Sequence, residues 1–116
     1  MSGERKVDLT YEDIVALKDE IVLVDVRDHN EIEETGQLPG SIHIPLPELK
    51  EALLLPPEEF KKKYDGAAPL KNAPLVFSCR SGNRSRRAMN AALELGFAES
   101  RHYIGGFLDW QAKTQK

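Results

Sequence analysis

The chain has 116 residues, 41% hydrophobic and 30% charged, which is the composition of a globular protein with a single domain. Its longest apolar run is too short to cross a bilayer, and its single cysteine excludes an internal disulfide and a cysteine-based zinc cluster. Nine basic and 16 acidic residues give −7 over residues 1–78, whereas residues 79–116 carry +4, so the acidic bulk of the chain argues against nucleic acid as a partner.

Helices and strands alternate in the predicted secondary structure. In chain order we predict a helix over residues 11–18, a strand over 21–26, a helix over 28–36, a strand over 42–44, helices over 47–55 and 57–64, a strand over 75–78, a helix over 85–95, a strand at 103–104 and a helix over 107–113. Such alternation implies parallel strands joined by right-handed crossovers. The fold class is therefore α/β: a four- to five-stranded parallel sheet with helices on both faces, forming one domain over residues 1–116 with its core at about 7–113.

Several finer features follow from the same patterns. The 47–55 helix is predicted to bury a stripe made by Leu49, Leu53 and Leu54, and the 85–95 helix to turn Leu95 inward. Gly96 occupies the place of a C-terminal helix cap. The first eight residues mix charges of both signs without an apolar stretch, so we expect neither a secretory signal nor a transit peptide, and a cytoplasmic location.

The three histidines do not predict a metal site. His29, His43 and His102 lie too far apart in the chain for metal-ligand spacing. His43 and His102 fall in or beside short strands, where a histidine whose hydrogen bonds are satisfied by the fold is the expected role.

The segment after the 75–78 strand carries the strongest chemical signal. Residues 79–85, Cys-Arg-Ser-Gly-Asn-Arg-Ser, are here called the cysteine loop. Ligands of parallel sheets bind where strands end, and a thiol at a helix N-terminus among arginines has a stabilised thiolate. Gly82 lets the backbone N–H groups converge on an anion, and Arg80 and Arg84 can bind oxyanions. The alternative, a buried small hydrophobic Cys79, does not account for this combination.

The spacing in the cysteine loop separates two chemistries. Dual-specificity phosphatases hold phosphate with a cysteine, five residues and then an arginine. Here Ser85 stands six residues after Cys79, and only four residues separate Cys79 from Arg84. The smaller loop favours one additional sulfur atom on the cysteine over a phosphoryl group, and no general acid for a leaving group is evident.

Supporting residues are expected at neighbouring strand ends. Asp25 and Arg27 lie at the C-terminal end of a strand predicted to be adjacent to the Cys79 strand, so Asp25 either orients the cysteine loop, pairs with one of its arginines, or caps the turn at Asp28. Glu31 is interpreted as an ordinary acid in the first turn of a helix. The pair Gly105–Gly106 predicts a turn that also has the position to line a pocket.

Three motifs together resemble the rhodanese family across nearly the whole chain. Residues 79–85 are similar to its six-residue active loop with the helix that follows. Residues 24–27 with Glu31, Gly36 and residues 38–45 resemble its N-terminal motif, and residues 103–110 its Gly-Gly-x-x-x-Trp ending. One departure is Gln37-Leu38, where the family often has His-Ile. The pattern over residues 55–64 is similar to that of single-domain thiosulfate–glutathione sulfurtransferases.

The resemblance implies a ping-pong sulfurtransferase in which Cys79 carries a persulfide. Arg80 and Arg84 would bind the anionic end of the sulfur donor, and Ser81, Gly82 and Asn83 would supply backbone amides. No cofactor is implied. The implied partners are a small-molecule donor such as thiosulfate and an acceptor such as cyanide, glutathione or a protein thiol, and we expect a monomer. Two alternatives stay open: a phosphatase or arsenate reductase using the same cysteine, and a non-catalytic rhodanese-fold module that binds a partner or senses anions or redox state.

Overall fold

The computed structural model of the chain describes residues 6–115, with Lys18 described by its backbone alone. Most of the N-terminal segment from which a cytoplasmic location is expected lies outside these residues. The elements in chain order are β1 (Asp8–Leu9), α1 (Tyr11–Leu17) continued by a 3₁₀ turn (Lys18–Glu20), β2 (Val22–Asp25), α2 (His29–Thr35), β3 (Ile42–His43), a 3₁₀ turn (Leu46–Glu48), α3 (Leu49–Leu53), α4 (Pro57–Tyr64), β4 (Leu75–Ser78), α5 (Asn83–Glu94), β5 (Arg101–Tyr103) and α6 (Gly106–Thr114).

The five strands form one parallel sheet in the order β1-β5-β4-β2-β3, which confirms the predicted fold class. β4 is the central strand, and its register with β2 sets Asp25 opposite Ser78. The segments that follow β4 and β2 therefore leave the same edge of the sheet side by side. The cysteine loop lies at the middle of that edge.

Two hydrophobic layers cover the sheet, and β4 contributes to both. All four residues of β4 are buried; Leu75 and Phe77 pack toward α3, α4 and α5, whereas Val76 packs toward α1 and α6. The alternation follows from the two-residue period of a strand, and a central strand covered on both faces is apolar over most of its length, here up to Phe77. Within residues 6–115 no helix is long and apolar enough to cross a bilayer.

Helix capping agrees with the sequence at two predicted starts. The Thr10 N–H donates to Asp13 Oδ2 over 2.9 Å, while the Asp13 N–H donates to Thr10 Oγ1 over 3.2 Å. The Asp28 N–H donates to Glu31 Oε1 over 2.9 Å. Each pair satisfies amides that the first helical turn leaves unpaired, which is why the two short helices begin where predicted.

Five details of the predicted elements are wrong. β1 is absent from the prediction, because a two-residue edge strand carries no periodicity. α5 begins two residues early, at Asn83, and the last strand is Arg101–Tyr103 instead of 103–104. Leu54 is 65% exposed, because five residues after Leu49 correspond to a rotation of about 140° around the helix axis, and Ala52 is buried instead. Leu95 is only partly buried.

Candidate active site

Cys79 follows the last residue of β4, and the cysteine loop then curls into the start of α5. Gly82 makes this possible, since its φ of +105° belongs to the left-handed region. A Cβ atom at Gly82 would also lie 2.6 Å from the backbone oxygen of Ile104, so no other residue fits without displacing the chain. The result is a tight loop whose amides face the sulfur at a helix N-terminus.

The Cys79 sulfur is surrounded by hydrogen-bond donors. The Gly82 N–H donates to Cys79 Sγ over 3.1 Å. The residue is only 1% exposed, and burial by itself would raise the pKa of the thiol. Hydrogen bonds from the Ser85 N–H and hydroxyl and from the amides of Gly82 and Ser81 outweigh burial, so the pKa of the Cys79 thiol lies below its usual value. Such an environment favours a thiolate nucleophile.

The start of α6 holds the opposite side of the cysteine loop. The Phe107 N–H donates to the Cys79 carbonyl over 2.7 Å, and the Leu108 N–H donates to the Arg80 carbonyl over 3.1 Å. These bonds engage the loop carbonyls outside the site, which leaves the loop amides directed at the sulfur. A Cβ at Gly106 would lie 2.6 Å from both carbonyl oxygens, so this close approach requires glycine.

Gly105 and Gly106 therefore serve backbone packing. A Cβ at Gly105 would lie 2.4 Å from the Cβ of Asp109, and Gly106 has a φ of +65°. The turn predicted at these residues is present as the start of α6. The structure places Gly106, which is buried, against the back of the cysteine loop.

Arg84 pairs with Glu31, which the sequence alone indicates only as an acid in the first turn of a helix. Its Nη1 and Nη2 donate to Glu31 Oε1 and Oε2 over 2.6 and 2.9 Å, a bidentate pair on the α2 side of the site. The Arg84 guanidinium lowers the pKa of Glu31 to about 2, and the Glu31 carboxylate raises the pKa of Arg84. Glu31 is thus both the predicted helix-start acid and the counter-ion of Arg84. The two residues are 53 positions apart, and no local pattern signals the contact.

The remaining predicted loop residues point outward. Arg80, Ser81 and Asn83 have exposed side chains. Arg80 forms no salt bridge with any residue of the described range 6–115, so its guanidinium is free to meet an anion. Asn83 is the first residue of α5.

Asp25 and Arg27 pair with each other, so two of the roles proposed for Asp25 from the sequence are wrong: Asp25 neither pairs with an arginine of the cysteine loop nor caps the turn at Asp28. Arg27 Nε and Nη2 donate to the two Asp25 carboxylate oxygens over 3.0 and 2.8 Å, with both residues at most 2% exposed. Asp25 Oδ2 also accepts the Leu38 N–H over 3.3 Å, and Arg27 Nη2 donates to the Gly36 carbonyl over 3.0 Å. The predicted turn at Asp28 is capped by Glu31 instead.

The Asp25–Arg27 pair touches the site through one side chain. The Arg27 guanidinium carbon lies 4.1 Å from the centre of the Phe107 ring, a cation–π contact. Phe107 is the residue whose N–H holds the Cys79 carbonyl. The pair therefore supports the cysteine loop from behind and contributes no group to the space in front of the sulfur.

His43 and His102 are both hydrogen bonded within the fold. His43 Nε2 lies 2.7 Å from the Arg27 carbonyl. His102, which is 1% exposed, lies 2.9 Å from Ser85 Oγ through Nδ1 and 2.9 Å from Asp8 Oδ1 through Nε2. Among the described residues no three His, Cys, Asp or Glu side chains are grouped as a metal site requires.

Comparison with known proteins gives consistent matches. The rhodanese-like domain family matches residues 10–113. Thiosulfate sulfurtransferase/rhodanese-like domain-containing protein 3 of Mus musculus is 47% identical over 104 residues, covering 88% of this chain and 66% of that protein. Thiosulfate:glutathione sulfurtransferase of Homo sapiens is 37% identical over 92 residues, covering 78% of this chain and 79% of that protein. The chain thus spans about two-thirds of the length of the mouse relative.

A solved structure extends the likeness to three dimensions. The human single-domain sulfurtransferase TSTD1 superposes with a TM-score of 0.89 at 30% identity, covering 96% of this chain and all of that one. The agreement includes the parallel sheet with helices on both faces.

Proposed function

The chain belongs to the rhodanese-like domain family, and on that premise we propose that it transfers sulfane sulfur from thiosulfate or a persulfide to a thiol or to cyanide, with the sulfur carried on Cys79. Sulfur transfer is the activity named for the relatives that match most of the chain. The observation that carries the proposal is the cysteine of the loop, with a lowered pKa and backbone amides directed at its sulfur.

In the first half-reaction the Cys79 thiolate attacks the outer sulfur of thiosulfate. The sulfur–sulfur bond of the donor breaks, sulfite leaves with the electron pair, and a Cys79 persulfide anion remains. The amides of Ser81, Gly82 and Ser85 and the N-terminus of α5 would stabilise this anion, as they stabilise the thiolate. A loop of this size accommodates the one added sulfur atom.

In the second half-reaction an acceptor removes that sulfur. A thiolate such as glutathione, a protein thiolate or cyanide attacks the outer persulfide sulfur, and the Cys79 thiolate leaves with the electron pair. Glutathione is a reasonable acceptor because a human relative is named for thiosulfate and glutathione. Neither half-reaction needs a redox cofactor, and neither includes a proton transfer once Cys79 is a thiolate, because the nucleophile enters and leaves in that form.

The loop arginines would divide the work of binding the donor. Arg80 is exposed and free to hold the sulfonate oxygens of thiosulfate. Arg84 would join it only by exchanging its two Nη–H bonds to Glu31 for bonds to the donor. The hydrogen bonds to Glu31 raise the pKa of Arg84, and the charge of the Cys79 thiolate adds to this, so the guanidinium already interacts with the site.

The spacing in the cysteine loop weighs against phosphoryl chemistry. Only four residues separate Cys79 from Arg84, whereas dual-specificity phosphatases have five residues between the cysteine and the arginine. A purely binding module would have no need of a thiol with a lowered pKa. The expectations of a monomer and of a cytoplasmic location remain predictions.

Intact-protein mass spectrometry after brief exposure to thiosulfate tests the proposal. Cys79 is the single cysteine, so any sulfur gain is assigned without digestion. We expect the wild type to gain one sulfur atom and to lose it to cyanide or glutathione. Cys79→Ser should never gain it, and Arg80→Ala should need a higher thiosulfate concentration for the same gain.

The opposite result has a definite meaning. A folded wild-type protein that takes no sulfur from thiosulfate, from a persulfide or from mercaptopyruvate is not a sulfurtransferase. Hydrolysis of aryl phosphates or reduction of arsenate by such a protein, lost in Cys79→Ser, would identify the phosphatase or arsenate reductase alternative. A Cys79→Ser variant that kept full biological function would favour the binding module.

A further inference from the structure

A line of hydrogen bonds leads from the nucleophile to the protein surface. Ser85, on the first turn of α5, has no exposed surface, and its hydroxyl contributes by hydrogen bonding to the lowered pKa of the Cys79 thiol. Ser85 Oγ lies 2.9 Å from His102 Nδ1, and His102 Nε2 lies 2.9 Å from Asp8 Oδ1. The Asp8 side chain is 47% exposed. The four side chains thus connect a sulfur that is almost fully covered to solvent behind the sheet.

The chemistry of these groups fixes the direction of the bonds. The Asp8 carboxylate only accepts, so His102 carries its proton on Nε2, and a neutral His102 presents an unprotonated Nδ1 to Ser85. The Ser85 hydroxyl has one proton and three possible acceptors: His102 Nδ1, the Cys79 sulfur and the Gly82 carbonyl, which lies 3.1 Å away. With neutral His102 the proton belongs to Nδ1, and Ser85 Oγ is then ready to accept a proton from the thiol.

We propose that Ser85 and His102 form the path by which the Cys79 thiol loses its proton, with Asp8 holding the imidazolium that results. The proposal rests on the proposed function, since it supplies the thiolate which that chemistry requires. Ser85 and His102 act through Cys79 and touch no substrate.

The step balances without any other reactant. The Cys79 S–H bond breaks as a proton passes to Ser85 Oγ, and the Ser85 O–H bond breaks as its own proton passes to His102 Nδ1. The products are a Cys79 thiolate, an intact Ser85 hydroxyl and a His102 imidazolium donating through Nε2 to the Asp8 carboxylate. Both bonds at Ser85 are then reversed, so the hydroxyl that passed the proton donates to the thiolate.

The groups around His102 bear on both of its protonation states. Burial and the charge of Arg86 lower the pKa of His102 and favour the neutral imidazole, whereas the hydrogen bond and the charge of Asp8 raise it and stabilise the imidazolium. The charged groups on the elements around this line of side chains are Asp8 on β1, Arg84 and Arg86 on α5, Glu31 on α2, Asp25 at the end of β2 and Arg27 after it. Of these, Glu31 neutralises Arg84, and Asp25 pairs with Arg27.

The rate of alkylation by iodoacetamide between pH 5.5 and 9.5, followed by intact mass, tests this path. Alkylation reports the thiolate of the single cysteine and needs no sulfur donor. The main variants are Ser85→Ala and His102→Asn, whose amide can hydrogen bond but cannot take a proton. Asp8→Asn at the exposed end is a variant that leaves the core untouched. His43→Asn, at another hydrogen-bonded histidine, is the matched control.

We expect the acid side of the profile to move to higher pH in the main variants. At pH 6, alkylation of His102→Asn and Ser85→Ala should be about tenfold slower than wild type, the loss expected for one strong hydrogen-bonded contact to an ion. Above pH 9 the rates should converge, because the Cys79 thiol is then largely ionised in every variant. The double variant should be no slower than either single variant, since both act on one path, and Asp8→Asn should lose about twofold.

Other outcomes overturn the proposal. The proposal is wrong if His102→Asn and Asp8→Asn keep the wild-type pH profile, or if their alkylation rates fall equally at every pH. It is also wrong if the losses in the double variant are additive, or if His43→Asn shows the same shift. If His102→Asn does not fold, the profile of Asp8→Asn alone decides. Failure of the proposed function is distinguishable: a chain that takes up no sulfur, yet shows these alkylation shifts, keeps the proton path and loses only the sulfur chemistry.

Discussion

Two loops leave the same edge of the sheet from adjacent strands, and they use arginine in opposite ways. After β2, Arg27 donates three hydrogen bonds to Asp25 and one each to Thr35 and Gly36, and only 2% of its surface is exposed. After β4, Arg80 is exposed, and the loop amides face a single sulfur. The first loop satisfies its polar groups internally, whereas the second leaves donors for an anion. Polar residues at strand ends therefore mark a site only where the fold leaves them unpaired.

The largest effect should come from breaking the Asp25–Arg27 pair. Asp25→Ala leaves the buried Arg27 guanidinium without its carboxylate partner, so we expect a loss of about 3–5 kcal/mol in the free energy of unfolding. Urea unfolding measures it. Lys50→Met, which breaks the exposed Lys50–Glu94 pair, is the control and should leave stability unchanged within error. Equal losses in both variants would show that the buried pair does not support the β2 loop.

A second prediction sets two glycines of positive φ against each other. Gly82→Ala combines a left-handed backbone with a Cβ 2.6 Å from the Ile104 oxygen, whereas Gly36→Ala, at a φ of +77°, meets no atom within 4 Å. Gly36→Ala should cost about 1–2 kcal/mol of stability and leave alkylation of Cys79 unchanged. Gly82→Ala should cost more, about 3 kcal/mol, and slow alkylation, because the amides leave the sulfur. Similar alkylation rates in both would contradict the role given to the loop.

The smallest effect concerns the Glu31–Arg84 pair. Breaking this pair tests whether Arg84 binds the donor better when Glu31 does not hold it. Glu31→Gln keeps an oxygen for the Asp28 N–H but removes the charge that holds Arg84. We expect KM for thiosulfate to fall about three- to tenfold as Arg84 turns to the donor. Glu33→Gln, exposed on the same helix, is the control. A higher KM in Glu31→Gln would mean that the pair positions the loop.

The same variant predicts a pH dependence of stability. The pKa of Glu31 is lowered from 4.5 to about 2, so its contribution is complete above pH 4.5 and is lost as the pH falls toward 2. The pair is a quarter exposed, so the difference in unfolding free energy between wild type and Glu31→Gln should be about 1 kcal/mol at most at pH 7. Denaturant unfolding at pH 7 and at pH 2 should show the difference decreasing. A constant difference would contradict the assignment.

The sequence by itself determined the local features of this protein. The helix starts at Thr10 and Asp28, the buried central strand and the curl at Gly82 depend on neighbours within a few residues, and all are present as predicted. The alternation of helix and strand determined the parallel sheet, because only crossovers connect such strands. The place of Cys79 at a strand end followed from the same pattern.

Tertiary structure alone decided which partner each polar group takes. Glu31 pairs with Arg84, 53 residues away in the chain. His102 contacts Asp8, 94 residues away in the chain, and also contacts Ser85. β1 has two residues and therefore no periodicity of its own. It forms because its backbone pairs with the edge of β5. Charge pairing and edge pairing depend on positions in space, and side-chain patterns along the chain encode only the faces of helices and strands. The partner of each carboxylate is therefore decided by tertiary packing, whereas the pattern of apolar residues along the chain decides the fold.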